Sequence, residues 1–338
     1  MRKCHVAAVI FCALLALLAP GSAEEDQLVE ISPELERAIR FNLEYLSRLQ
    51  NPDGSWNDGG FKKNVGANSL ILMAFMSLGN LPGEGAYGAT VARGVDFILS
   101  QARPSGLIQC DDSQGAVMYG HALSTLMLSE VWGQSPRKDV GSVLRRAVDL
   151  ILRVQGSKGG WNYRSVPQDG DTSVCVMQMF ALQSAFEAGM QIPRATVEKA
   201  MSLIKTRYDE KIRGFGYANN QYNVMHIGSS AAGTCIMQIC GEKDPRFTLQ
   251  TLEPLTEALR SGNYLQASMR YYYFYYSSVA NFKAGGEHYR QWMALLEPVL
   301  LKDFAKQGHW GDPGSLHDTA FCVLAAALPY RYIPIYQN

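Results

Sequence analysis

Hydrophobic and polar positions in this chain form two kinds of segment that alternate. The first kind, exemplified by residues 140–155, carries apolar residues three and four apart with charges on the remaining face, the spacing of an amphipathic helix. The second kind, exemplified by residues 174–188, is apolar on nearly every face, and a helix of that sort belongs inside a protein. Taken pairwise, the pattern predicts helices at 31–50 and 64–78, 88–101 and 115–131, and 140–155 and 171–188. It continues at 194–208 and 228–239, 247–259 and 271–282, and 289–306 and 318–328.

Breakers separate the two helices of a pair, and an aromatic or aliphatic residue closes the turn. Gly54-Ser55-Trp56, Gly159-Gly160-Trp161, Gly214-Phe215 and Gly308-His309-Trp310 mark four of these turns, and Gly106-Leu107 marks a fifth. Trp56 to Leu107 is 51 residues, and both Leu107 to Trp161 and Trp161 to Phe215 are 54. A repeat of about 50 residues cannot bury its own apolar face and must stack on its neighbours. Six outer and six inner helices closed in a ring give an all-α protein, an α/α toroid whose inner helices run parallel. The expected division is a toroid domain over residues 31–330 with a short C-terminal tail, 331–338.

The N-terminal stretch has a different pattern. Arg2 and Lys3 precede an apolar run from Val6 to Leu18, and Gly21-Ser22-Ala23 supplies small residues for cleavage, so residues 1–23 read as a secretory signal peptide and 24–30 as a linker. The mature protein is then expected outside the cytoplasm, periplasmic or extracellular, with no transmembrane segment. Basic and acidic residues are balanced at 31 each over the whole chain, and losing Arg2 and Lys3 leaves a net charge near −2. Nothing in that balance favours nucleic acid or an anionic membrane. Of the seven cysteines, Cys4 and Cys12 lie in the leader; the odd remainder has no paired spacing, and Cys175, Cys235 and Cys322 fall inside apolar runs as buried thiols.

In a closed ring every inner-helix N-terminus meets at one mouth. That rim would gather Asp111, Asp112, Tyr119, His121, Asp169, Asp171, Tyr222, His226, Tyr264, Arg270, His317 and Asp318. Asp171, Asp169, Asp318 and His317 are the candidate catalytic groups, since paired carboxylates with a histidine can transfer protons. Asp171 and Asp318 also suit the simpler role of helix N-caps. Tyr119, His121, Trp161, His226, Tyr271, Tyr275 and Tyr276 are the candidate ligand-binding residues, and the run Tyr271 to Tyr276 puts aromatics on every face of a helix. His309, Asp312, His317 and Asp318 lack the tight spacing of strong metal sites, so neither a metal nor another cofactor is expected.

Several of these segments resemble the terpenoid cyclase and protein prenyltransferase α/α toroids, squalene–hopene cyclase above all. Arg146-Ala147, Ile151, Gln155, Gly159 and Trp161 are similar to most of that group's repeat, and Tyr45-Leu46, Gln50, Gly54 and Trp56 to its second half. The likeness runs over about residues 30–330. Met118-Tyr119-Gly120-His121, Gly170-Asp171-Thr172-Ser173-Val174, Tyr275-Tyr276 and the ending Pro329 to Tyr336 also resemble a narrower set of exported, single-toroid bacterial proteins. The resemblance to the cyclases implies an Asp-x-Asp-Asp-Thr proton donor, yet in register with Asp171-Thr172 the acid's place is held by Gly170 and the leading Asp's by Gln168. It also implies that zinc-dependent prenyl transfer is absent, because no Asp-x-Cys precedes the aromatic run.

The expected function is therefore to hold an apolar, isoprenoid-like molecule in a central cavity without squalene cyclisation, whether as enzyme or as carrier. Two rivals remain open at this stage. One is a non-catalytic scaffold binding a protein or peptide at the rim; the other is a glycan-active lyase or hydrolase, a chemistry that α/α barrels also host.

Overall fold

The computed structural model describes residues 30–110, 116–218, 227–267 and 269–337. Twelve α-helices occupy them, and they fall into two concentric sets. The outer helices are α1 (Pro33–Arg48), α3 (Gly88–Ser100), α5 (Lys138–Arg153), α7 (Arg194–Lys205), α9 (Leu252–Arg260) and α11 (Gly286–Gln307). The inner helices are α2 (Val65–Met76), α4 (Val117–Gln134), α6 (Thr172–Glu187), α8 (Ile227–Ile239), α10 (Arg270–Ala284) and α12 (Leu316–Ala326). A two-residue antiparallel pair, Tyr208–Asp209 with Gly214–Phe215, is the one sheet among the described residues. Each inner helix packs on the next, α2 on α4 through to α12, and α12 packs back on α2. The ring is closed, and the fold is an all-α, α/α toroid.

The burial pattern follows from the two kinds of sequence segment. In α5 the buried residues are Val140, Gly141, Leu144, Ala147, Val148, Leu150 and Ile151, a single stripe facing the inner ring. In α2 all twelve residues are buried, since one face meets α3 and α1 while the others meet α4 and α12. The wedge turns fix the spacing between pairs. The indole N–H of Trp56 donates to the Leu46 carbonyl, that of Trp161 to Ile151 and that of Trp310 to Leu300, each ten residues earlier, at 2.7, 2.8 and 2.9 Å. Gln50 and Gln155 then tie the turn to the following outer helix: each side-chain amide donates to the glycine carbonyl of its own turn and to the Thr90 or Thr196 carbonyl. Gly54 and Gly159 have φ of +87° and +104°, and a Cβ at either would stand 2.2 or 2.5 Å from a backbone carbonyl oxygen of Arg93 or Lys199. Only glycine permits that approach.

The ring's two ends differ. Inner-helix N-termini face one mouth, where cavities open. At the opposite end the segment after α12 folds back over the lumen, burying Ile333, Ile335 and Tyr336 against α6 and α10. Residues expected to form a tail are thus part of the core, because their apolar side chains find an otherwise open end of the ring to fill. No described helix is long and apolar enough to cross a membrane.

Candidate functional site

The mouth is built from two repeated positions, the residue two places after each wedge and the first turn of each inner helix. Asp58, two residues after Trp56, is buried and reaches the neighbouring α12, where the ring closes. Its Oδ1 accepts from the backbone N–H groups of Leu316 and His317, at 2.6 and 3.1 Å, and its Oδ2 lies 2.7 Å from His317 Nδ1. It caps that helix from a different repeat, in place of Ser315, whose side chain makes no capping bond. His317 Nε2 stands 3.4 Å from Asp318. Burial opposes a charge on His317, but the Asp58 hydrogen bond and the negative field of Asp58, Asp318 and Asp312 outweigh it and raise its pKa. Burial is also the main cause raising the Asp318 pKa.

Across the mouth stands a second network. Tyr163, two residues after Trp161, donates its hydroxyl to Asp171 and also bonds Tyr217, which lies two residues after Phe215. Asp171 is the N-cap of α6: its Oδ1 accepts from Val174 N–H at 3.1 Å and from the Ser173 hydroxyl at 2.6 Å. The Ser173 hydroxyl is also hydrogen-bonded to Tyr119. Both carboxylate oxygens of Asp171 therefore have partners. Burial raises the pKa values of Tyr119, Tyr163 and Tyr217, so all three remain neutral hydroxyls at physiological pH.

Between the two networks lies a cavity of about 530 Å³. Its polar lining comes from Asp58, Asn64, Tyr119, Ser173, Tyr217 and His317, while Leu70, Leu123, Met177, Met269, Tyr272 and Phe321 supply most of the rest. The space exists because the first turns of the inner helices carry small residues, among them Gly66, Ala67, Gly120 and Gly228.

The candidates read from sequence divide accordingly. Tyr119 and His317 line the cavity, Asp171 stands behind Ser173, and Tyr271 and Asp318 line an adjoining recess. Asp169 turns the other way, its carboxylate accepting from the backbone N–H groups of Lys158 and Gly160 in the wedge turn. Asp318 is not an N-cap, because α12 begins at Leu316, a turn earlier than the register with α6 implies. His121 is sealed behind the wall: Nδ1 accepts from Ile108 N–H and Nε2 faces the Ala147 carbonyl, both at 3.2 Å, and burial lowers its pKa to about 4. Trp161 is a wedge, and Tyr275 and Tyr276 pack at the far end of the lumen against Tyr336 and the Met177 sulfur. None of these last four lines the cavity. His226, Asp111, Asp112 and Tyr222 lie outside the described residues.

Asp58, Tyr163, Tyr217 and Tyr272 are the site residues that the sequence reading passed over. A signal for three of them was present, since each sits two residues after a wedge, and Asp312, two after Trp310, holds the same place beside Arg270. Among the described residues no group of three or more His, Cys, Asp or Glu side chains could hold a metal ion.

With this geometry in view, comparisons with known proteins can be placed. The chain matches no established family profile. It is 26% identical over 141 residues to lanosterol synthase of Saccharomyces cerevisiae, a stretch covering 39% of this chain and only 18% of that enzyme. A variant of the type II terpene cyclase MstE from Scytonema, solved with geranylgeranyl dihydroxybenzoate, superposes with a TM-score of 0.60 over 88% of this chain and 98% of that one, at 13% identity. The fold shown by these likenesses is the α/α toroid. The same toroid also superposes on the α-1,6-mannanase of a Salegentibacter species, with a TM-score of 0.64 over 87% of this chain and 99% of that one, at 8% identity. The fold is thus shared with enzymes of unlike chemistry, and function has to be argued from the site. At Gly170, where the sequence resemblance would set the squalene–hopene cyclase acid, a Cβ would meet the Trp161 carbonyl oxygen at 2.2 Å. An acid side chain cannot stand there without moving the wedge turn.

Proposed function

We propose that this chain is an exported binding protein or enzyme whose toroid holds an apolar small molecule, isoprenoid in class, and that it does not cyclise squalene. The observation that carries the reading is the cavity wall: apolar side chains form its body and polar groups gather toward the rim. A volume of about 530 Å³ suits a small-molecule site, where burial supplies affinity and a few oriented polar groups supply orientation. Met177 and Met269 add side chains that adapt to irregular apolar shapes. The carboxylates nearest the cavity, Asp58 and Asp171, are spent on hydrogen bonds within the protein, which disfavours a carboxylate pair awaiting a glycosidic bond. Export rests on the leader-like pattern of residues 1–23.

The test is a thermal-shift and native mass-spectrometry screen of the mature protein against a panel of isoprenoids. A bound isoprenoid at a hundredfold excess over its Kd should stabilise the fold by about 2.7 kcal/mol. Leu123→Trp, which fills the cavity, should abolish the shift while the ring stays folded. No shift and no co-purifying lipid across the panel overturns the reading. Hydrolysis of an α-1,6-mannooligosaccharide replaces it with a glycan-active toroid, and formation of hopene refutes the absence of cyclase activity.

A further inference from the structure

A second recess of about 220 Å³ adjoins the apolar cavity. The two share Ala267, Met269, Tyr272, His317 and Phe321, and the rings of Tyr272 and Phe321, in edge contact at 5.9 Å, stand in the wall of both. The recess is the polar one: Arg270, Tyr271, Asp312, His317 and Asp318 line it. The Arg270 guanidinium lies over the Tyr271 ring at 4.6 Å and bonds Asp312 and the Tyr271 hydroxyl through Nη2, while its Nε is buried with no hydrogen-bond partner. An unsatisfied donor of this kind is costly unless something brought to the site accepts from it.

Resting on the apolar-ligand reading above, we infer that the ligand is an amphiphile whose chain fills the apolar cavity and whose uncharged, hydroxyl-bearing head seats in the recess at Arg270, Asp312 and Asp318. The charges select that head. Arg270 pairs with Asp312, and the one histidine, His317, is shared by Asp58 and Asp318, so three carboxylates face two cationic side chains. An anionic head would meet Asp58, Asp312 and Asp318 together, and the cationic side chains among the described residues of the recess, Arg270 and His317, are already paired with them. A hydroxyl suits both sides, accepting from Arg270 Nε and donating to a carboxylate.

The experiment compares geranylgeraniol, geranylgeranyl phosphate and the parent hydrocarbon by titration calorimetry. In the wild type the alcohol should bind most tightly, with the phosphate at least about tenfold weaker. Arg270→Gln should weaken the alcohol by about tenfold and leave the hydrocarbon unchanged. Asp312→Asn removes a negative charge from the recess and frees Arg270, so it should shift preference toward the phosphate, a change that mere loss of structure would not give. A phosphate bound as tightly as the alcohol by the wild type, equal affinities for alcohol and hydrocarbon, or an unmoved preference in a folded Asp312→Asn protein overturns this inference and leaves the apolar-ligand reading intact. Failure of all three compounds to bind overturns both.

Discussion

The two ends of this ring are made by the same six inner helices, yet one end holds an open cavity and the other is filled by side chains of the returning C-terminal segment. At the mouth α2, α4 and α8 carry glycine in their first turns, and a Cβ on Gly66 would already lie 3.0 Å from the Gly120 backbone. Past that first turn the walls are apolar and a cavity of about 530 Å³ remains. At the base, Tyr275 packs on Tyr336 of the returning C-terminal segment and Tyr276 on Phe180, with Ile333 and Ile335 buried beside them. Polar chemistry differs likewise. The mouth carboxylates Asp58 and Asp171 are satisfied by several donors each, whereas the buried Glu130 at the base accepts from the Ser184 hydroxyl at 2.7 Å while its Oε2 has no hydrogen-bond partner. Toroid closure thus does not decide whether the lumen is hollow; side-chain size at each level of the inner helices does.

The strongest way to break the contrast is to unplug the base. Tyr336→Ala removes a fully buried ring and orphans the Tyr275 hydroxyl, so urea denaturation should show a loss of about 3–5 kcal/mol. The rim change Leu265→Ser, at a side chain 64% exposed, should cost no more than about 0.5 kcal/mol. Equal effects from the two would mean that the C-terminal segment is not a plug.

Glu130 sharpens the contrast through pH. Burial raises its pKa from 4.5 to about 8, so the folded protein keeps the carboxyl protonated where the unfolded chain has released the proton. Its contribution to stability is therefore fully present below about pH 4.5 and is lost as pH rises toward 8. Glu130→Gln should match the wild type near pH 4 and exceed it at pH 8 by a few kcal/mol, on the order of 2–4, as read from melting curves across pH. A constant difference between the two proteins at both pH values would show that folding does not shift the Glu130 pKa.

A smaller pH-dependent effect than that of Glu130 is expected at the mouth. The raised pKa of His317 means that the charged His317–Asp58 pair stabilises the fold fully below about pH 6.5 and fades as pH rises through the folded value. His317→Gln keeps a donor to Asp58 without the charge, so it should cost about 1 kcal/mol at pH 5 and less at pH 9. A cost that grows with pH would reverse the assigned sign.

The sequence by itself determined the repeat. Its alternation of one-faced and all-round apolar segments placed every inner and outer helix to within a few residues, except for the start of α9, and the spacing of Trp56, Leu107, Trp161 and Phe215 dictated a ring of pairs, because the 3.6-residue period and breaker residues act locally. Asp171 was legible as a cap for the same reason. Only the tertiary structure decided which polar side chains meet. Asp58 and His317 are 259 residues apart and Tyr163 and Tyr217 are 54 apart; the repeat marks the places of Asp58, Tyr163 and Tyr217 after their wedges, but only ring closure shows which side chains bond. The same holds for direction: six aromatics in a row from Tyr271 cover every helix face, and ring closure alone sends Tyr272 to the cavity, Tyr273 to the α9 carbonyl of Leu255, and Tyr275 to the plug. Local sequence fixes where a helix runs; what each face of it touches is set by partners that ring closure brings from elsewhere in the chain.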